Sequence, residues 1–209
     1  MMKAIVLLSG GLDSCVVLAH ALAIGRSCIA LSFHYGQRHI LELQSAEKIA
    51  KYYGIEHRTI HIDPALFSHC SGSSLINPYL DVAAKDTVLQ PNTYVPCRNL
   101  LFLSHAASFA ESHRASEIYF GAHANDGPSY PDCRREFFHA FESAVTLGSY
   151  LGDKGLSVVC PFIDSDKRSI VALGKKLHAP LELTWSCYDP KDGNPCTQCA
   201  ACTLRAAAF

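Results

Sequence analysis

The chain has 209 residues, 49% hydrophobic and 18% charged, which suits one large packed domain with a small appendage and excludes a disordered chain. Eighteen Lys and Arg against nineteen Asp and Glu leave a net charge of −1, so the basic field of a dedicated nucleic-acid binder is missing. No apolar run approaches the roughly 18–20 residues of a membrane span. The five-residue run after Met1-Met2-Lys3 is too short for a signal-peptide core, so cytoplasm is the default expectation.

Ala4 to Leu8 is a continuous apolar run rich in β-formers, the pattern of a strand buried on both faces. Ser9-Gly10-Gly11-Leu12-Asp13-Ser14 interrupts it, and an apolar helix is expected to about Leu22. Cys28 to Phe33 reads as a second buried strand. Leu43, Ala46, Ile49, Ala50 and Tyr53 then recur at helical spacing and stop at Gly54. Thr59 to Ile62 reads as a third strand. From Pro64 to Pro96 no period is visible, and a loop that long in a compact domain is usually functional. Asn99 is placed to cap a helix running to about Ser112. Glu117 to Ala122 reads as a strand, followed by a second irregular loop. Phe137, Phe138, Phe141, Ala144 and Val145 mark an amphipathic helix, Val158 to Phe162 a strand, and Ile170 to Leu177 a helix after a Ser/Asp-rich start. The alternation predicts an α/β fold with a doubly wound, mostly parallel sheet. Right-handed crossovers put the active-site loops at the carboxyl ends of the strands.

A strand, a Ser-Gly-Gly-Leu-Asp-Ser turn and a helix can cradle phosphate. Glycines bring backbone N–H groups close to a ligand, and the helix N-terminus adds free donors and partial positive charge. Asp13 would be repelled by phosphates unless a divalent cation, with magnesium the natural choice, sat between them. Neither Gly-Lys-Ser/Thr nor Gly-x-Gly-x-x-Gly is present. A capped helix start with no ligand fits the same six residues equally well.

Ten cysteines are many for an intracellular chain. Cys28 and Cys160 sit in apolar contexts and read as core. Cys187, Cys196, Cys199 and Cys202 fall within sixteen positions, with turn-forming Gly193, Asn194 and Pro195 among them. Four thiolates so spaced can close on one tetrahedral ion. An iron–sulfur cluster is the competing occupant, but nothing else in the chain suggests electron transfer. One structural zinc per chain is therefore expected, clamping the tail to the domain.

Ser9 to Ser14 resembles the pyrophosphate loop of the N-type ATP pyrophosphatases, which activate an oxygen by adenylation. The resemblance narrows with Tyr35-Gly36-Gln37-Arg38-His39, Val95-Pro96-Cys97-Arg98-Asn99, Tyr130-Pro131-Asp132-Cys133-Arg134 and the terminal cysteines, which occur in that order. Together they are similar to the 7-cyano-7-deazaguanine synthase (QueC) family of queuosine biosynthesis, a tRNA modification pathway. The resemblance implies an adenine nucleotide alpha hydrolase-like fold over residues 1–180 and a zinc-binding segment over 181–209. It implies a carbon–nitrogen ligase that converts 7-carboxy-7-deazaguanine, ammonia and ATP into a nitrile, with magnesium accompanying ATP. The ATP-binding segment maps onto Leu8, Ser9, Gly10, Gly11, Leu12, Asp13, Ser14, Cys15, Val16, Val17 and Leu18, and the zinc ligands onto the four terminal cysteines. Two positions depart from the pattern: Cys97 stands where the family usually has Gly, and Pro128-Ser129 where it tends to have Ser-Gly.

A carboxylate substrate needs a cation, and Arg98, Arg134 and Arg38 can supply a guanidinium fork, with Arg98 and Arg134 favoured by their matched loops. Asp132 can accept from a guanine-like edge. Asp13, Arg98 and Arg134 are the expected catalytic residues. Cys97 and Cys133 invite a nucleophile reading, though packing or a substrate wall accounts for them better. Lys167 reads as a solvated cation without a catalytic role, and His34, His39 and His123 as structural histidines. Partners are expected to be small molecules, without direct nucleic-acid or membrane contact; a homodimer is allowed. Another adenylating relative (amidating a related deazapurine or thiolating tRNA) and a non-catalytic nucleotide-binding zinc module are the alternatives.

Overall fold

In the computed structural model, which describes residues 1–67, 72–82, 90–151 and 155–209, the first apolar run becomes the middle strand of a five-stranded parallel sheet. The strands are β1 (Lys3–Leu7), β2 (Ser27–His34), β3 (Glu56–His61), β4 (Glu117–Tyr119) and β5 (Ser157–Val159), in the order β3-β2-β1-β4-β5. Alternate residues of β1 face opposite sides. Ala4 and Val6 pack with α1 (Leu12–Ala23), α2 (Leu41–Tyr53) and α5 (Lys167–Lys176). Ile5 and Leu7 pack with α3 (Arg98–His113) and α4 (Arg135–Gly148). Both faces of the strand are covered, which is why it reads as an uninterrupted apolar run.

The chain winds outward from β1 to β3 on one side, then crosses to β4 and β5 on the other. The change of direction between β1 and β4 opens a crevice at their carboxyl ends, where ligands bind in open α/β sheets. The expected loops leave the strands at this edge. Of the long irregular segment, residues 68–71 (with Cys70) and 83–89 lie outside the described residues.

Most expected elements are present with small shifts at their ends. The second helix stops at Gly54, which takes the left-handed conformation with φ 64°. The β4 and β5 strands are three residues each and shorter than expected, because ladder pairing ends where the chain turns toward the crevice. Asn99 does not cap α3. It is buried in the first turn, its amide donates to Cys133 Sγ at 3.4 Å, and its own N–H donates to Asp132 Oδ2 at 3.3 Å. The acceptor comes from a loop 33 positions away, which local helix-start signals cannot reveal. A last helix, α6 (Ala200–Ala208), was not among the expected elements. Arg205 holds it by donating to Thr184 Oγ1, Ser186 Oγ and the Leu181 carbonyl.

Cys97 precedes α3 at φ 54°, in the left-handed region. A Cβ in that conformation costs about 1–2 kcal/mol, which a glycine would avoid. Replacement by glycine adds roughly 0.5–1 kcal/mol of unfolded-state entropy to lose, so relief of strain wins narrowly. Cys97→Gly is expected to raise Tm by about 2 °C, measured by thermal unfolding. An unchanged or lower Tm would mean that the exposed thiol makes a compensating contact.

Candidate active site

The loop after β1 is built to keep its backbone bare. Gly10 sits at φ 89°, and a Cβ there would come within 1.9 Å of the Glu42 carbonyl oxygen, so α2 and the loop touch only because the residue is glycine. The Trp185 N–H donates to the Gly10 carbonyl at 2.9 Å, fixing the turn from the C-terminal segment. The Ser9 and Ser14 hydroxyls lie 3.0 Å apart, Gly11 N–H donates to Ser9 Oγ, and Ser14 Oγ donates to the Gly11 carbonyl. Across the crevice Gly121, just past β4, has Ser14 N only 3.4 Å from where its Cβ would be. Gly11 is the N-cap of α1 and offers no side-chain acceptor, leaving the first N–H groups of the helix available to an anion.

Asp13, in the first turn of α1, meets two cationic or polar partners from other elements. Its Oδ2 is paired with Lys167 Nζ and stands 4.0 Å from His123 Nε2. The His123 Nδ1 accepts from Asn125 N–H, which by the hydrogen-bond network puts the ring proton on Nε2, facing Asp13. Asp126 Oδ2 in turn accepts the His123 backbone N–H at 3.0 Å. Asp13 Oδ1 is buried with no hydrogen-bond partner. An orphaned carboxylate oxygen beside a bare phosphate loop fits a hard divalent cation, which takes oxygen ligands.

Lys167 is thus not a solvated cation. Its side chain is 18% exposed and sits on the loop carboxylate. The missed signal was topological: the first turn of a helix that follows a strand in a parallel sheet faces the ligand edge. Asp166 caps that turn by accepting from Ser169 N–H at 2.8 Å, so the Ser/Asp-rich start does position Lys167.

A cavity of about 750 Å³ opens from this loop, a volume typical of small-molecule sites. Its wall takes Leu8, Ser9, Gly11, Leu12, Asp13 and Ser14 from the expected ATP segment. Gly10 contributes its turn, while Cys15, Val16, Val17 and Leu18 of α1 are wholly buried in the core. Burial pushes the Cys15 thiol up to about 12.

Arg98 enters the same cavity from the start of α3. Its guanidinium lies 5.8 Å from the ring centres of both Tyr35 and Phe102, and it donates to the Tyr35 hydroxyl at 3.4 Å. Its Nε is buried and has no partner, and no carboxylate lies within ion-pair distance among the described residues. A planar cation held on two rings with a donor to spare is a receptor for an anion.

The other expected substrate residues are placed or engaged differently. Arg134 is exposed, donates to the Gly127 carbonyl at 2.7 Å, and is not in the cavity wall. Asp132 serves the start of α3 and does not line the cavity either. Arg38 does line it, but is spent on the Ser74, Pro78 and Leu80 carbonyls and an ion pair with Asp189. Cys133 is buried, and burial pushes its thiol far above the ordinary range, which favours packing over nucleophilic attack. Cys97 is exposed outside the cavity. His123, by contrast, belongs to the loop network. Gln37, Glu42 and Tyr188 also line the cavity, and no sequence motif singled out Glu42 or Tyr188.

The four terminal cysteines converge. Their sulfurs all lie within 4.8 Å of one another, and Cys196 and Cys202 are 4.0 Å apart. Cys196 N–H donates to Cys187 Sγ and Cys199 N–H to Cys196 Sγ. Asp192 and Gly193, both at positive φ, turn the chain between Lys191 and Asn194 and bring Cys196 back to Cys187. The cluster can hold one metal ion. It is no separate appendage: Trp185, Ser186, Tyr188, Gln198 and Leu204 form one wall of the cavity.

A parallel sheet with a Ser-Gly-Gly-Leu-Asp-Ser loop at its switch point, beside a cysteine cluster able to hold a metal ion, defines a PP-loop protein of the adenine nucleotide alpha hydrolase-like class. Two solved structures share the fold at TM-scores of 0.54 and 0.56. They are NMN synthetase from Francisella tularensis (20% identity; 95% of this chain, 70% of that one) and tRNA thiolase NcsA from Methanococcus maripaludis with its 4Fe–4S cluster (14%; 99% and 64%). The model of the family described as queuosine biosynthesis protein QueC matches residues 3–209, and the chain belongs to that family. The 7-cyano-7-deazaguanine synthase of Leptospira interrogans is 46% identical over 211 residues, covering 99% of this chain and 86% of its own length. Among the described residues no helix is long and apolar enough to cross a membrane.

Proposed function

We propose that this chain is an ATP-dependent ligase converting 7-carboxy-7-deazaguanine and ammonia into 7-cyano-7-deazaguanine. The observation that carries the reading is the Arg98 guanidinium, which has no carboxylate partner among the described residues and an unbonded Nε, facing the same cavity as a bare phosphate loop. A carboxylate held by Arg98 would lie within reach of an ATP whose phosphates rest on residues 9–14. Ser9, Ser14 and the N–H groups at the start of α1 would receive the pyrophosphate as it leaves. Magnesium, when bound, would neutralise phosphate charge, and Asp13 is the residue to hold it. Lys167 adds a second positive charge there. Arg134 has no part in this reading, and 181–209 acts as a zinc-stabilised wall and not as an independent domain.

Zinc suits the cysteine cluster better than an iron–sulfur cubane. Metal–sulfur bonds of about 2.3 Å in a tetrahedron separate sulfurs by about 3.8 Å, which suits four sulfurs within 4.8 Å of one another with one pair at 4.0 Å, whereas a cubane spreads its thiolates further. With all four positions taken by protein, the metal's role is structural.

Stoichiometry tests the reaction. Carboxylate to amide removes one oxygen, and amide to nitrile removes the second; each must leave as AMP. Two AMP and two pyrophosphate are expected per nitrile, with the amide accepted as a substrate. Quantifying AMP against product by mass spectrometry decides it: amide alone, at one AMP per turnover, would make the enzyme an amidating relative.

A further inference from the structure

Three carboxylates line the cavity: Asp13, Asp126 and Glu42. The first is paired with Lys167, and the second accepts from the His123 backbone. Glu42 has no cation within ion-pair distance among the described residues, and its one hydrogen bond, from Gln37 Nε2, is long at 3.5 Å. It is partly withdrawn from water in the cavity wall, and no cation is paired with it there to hold it ionised. Its location is specific: its backbone carbonyl is the atom that Gly10 of the phosphate loop approaches, while its side chain feels the charge of Arg98. Glu42 therefore stands between the place where phosphates would rest and the cation that would hold the substrate carboxylate.

We infer that Glu42 is the general base for the nitrogen nucleophile, the group that receives the N–H protons released at the activated carbon. The inference rests on the proposed function and adds to it the step that sequence motifs left without a residue. When ammonia attacks the acyl-adenylate, a C–N bond forms, one N–H proton passes to Glu42, and the C–O bond to AMP breaks. In the second round the amide oxygen attacks the α-phosphorus and pyrophosphate leaves. Two N–H protons are then lost while AMP departs with the oxygen and the C≡N bond completes. Three protons leave nitrogen per nitrile, and one base returning each to solvent serves all three.

Electrostatics suit this work. Burial pushes the Glu42 carboxyl up to about 7, against the opposing pull of Arg98 and Gln37. Efficient bases have pKa values near the working pH. The titratable groups facing it are Arg98 from α3, Tyr35 from the segment after β2, and Tyr188 from the C-terminal segment. Burial raises both phenols, so near neutrality only Arg98 among them is charged.

The test compares wild type and Glu42→Gln for nitrile formation across pH, with ATP/pyrophosphate exchange on the same preparations. Wild-type kcat should rise with pH through about 7, as the base loses its proton, then level off. Glu42→Gln should lose that limb and about 100- to 1,000-fold in kcat while keeping exchange within a few-fold. A variant with wild-type rate and limb would overturn the assignment. A flat wild-type profile near neutrality would overturn it even if the variant did not fold. Absence of exchange in wild type with 7-carboxy-7-deazaguanine would instead overturn the proposed function, and the assignment with it.

Discussion

Asp13→Asn is expected to lower the rate of adenylation by about 100- to 1,000-fold, the cost of removing one preorganised electrostatic group from a charge-developing site. The substitution keeps size and hydrogen bonding but removes the charge that would draw a divalent cation to Oδ1, the atom left without a partner. Stability should change little. The pair with Lys167 is partly exposed, at 21% and 18%, and solvent screening limits such pairs to about 1 kcal/mol or less. The two effects separate cleanly: exchange kinetics should collapse while thermal unfolding stays within a few degrees. Raising magnesium should recover part of the rate if the lost function is cation affinity. Wild-type exchange in Asp13→Asn would remove the metal role from this residue and leave Lys167 and the loop N–H groups to carry the phosphates.

The elements legible in the sequence are those whose cause is local. The β1 strand announces itself because both its faces are buried, and α2 ends where Gly54 permits a left-handed turn. The cysteine cluster is legible for the same reason, since its spacing and turn residues lie within sixteen positions. What escaped depends on partners far along the chain. Lys167 meets Asp13 across 154 positions, and Asp132 serves α3 across 33. Glu42 carried no signal because Arg98, Tyr35 and Tyr188, its neighbours in the cavity wall, come from three separate segments that only the fold brings together. Arg134 shows the converse: a motif placed it near the substrate, but its side chain turns outward to a backbone carbonyl. The resemblance located the loops, and only packing decides which side chain of a loop faces inward.

That principle makes the C-terminal segment the place where stability and catalysis should fail together. In the proposed zinc site, Cys199→Ser replaces a strong thiolate ligand with a poor one, and the cluster holds no fifth donor among the described residues to compensate. Structural zinc in small peptides contributes about 10–16 kcal/mol, more than the 5–15 kcal/mol net stability of a typical domain. Loss of the ion cannot unfold the whole chain by that amount, because the fully buried residues of both core layers of the sheet precede the cluster. The loss should instead fall on the segment around Trp185, Tyr188 and Cys196, whose own packed cluster is small. A destabilisation of about 4 kcal/mol or more is expected, lowering Tm by about 8–16 °C, with zinc falling from one per chain to none. Turnover should fall at temperatures where the sheet is still folded, because Trp185 fixes Gly10 and Tyr188 walls the cavity. The KM for ATP should rise first, since the Trp185 N–H holds the turn that presents the phosphate loop. Metal analysis, circular dichroism and kinetics on one preparation decide the matter. Iron with visible absorption, or a metal-free variant that keeps both its Tm and its KM for ATP, would end the zinc-clamp reading.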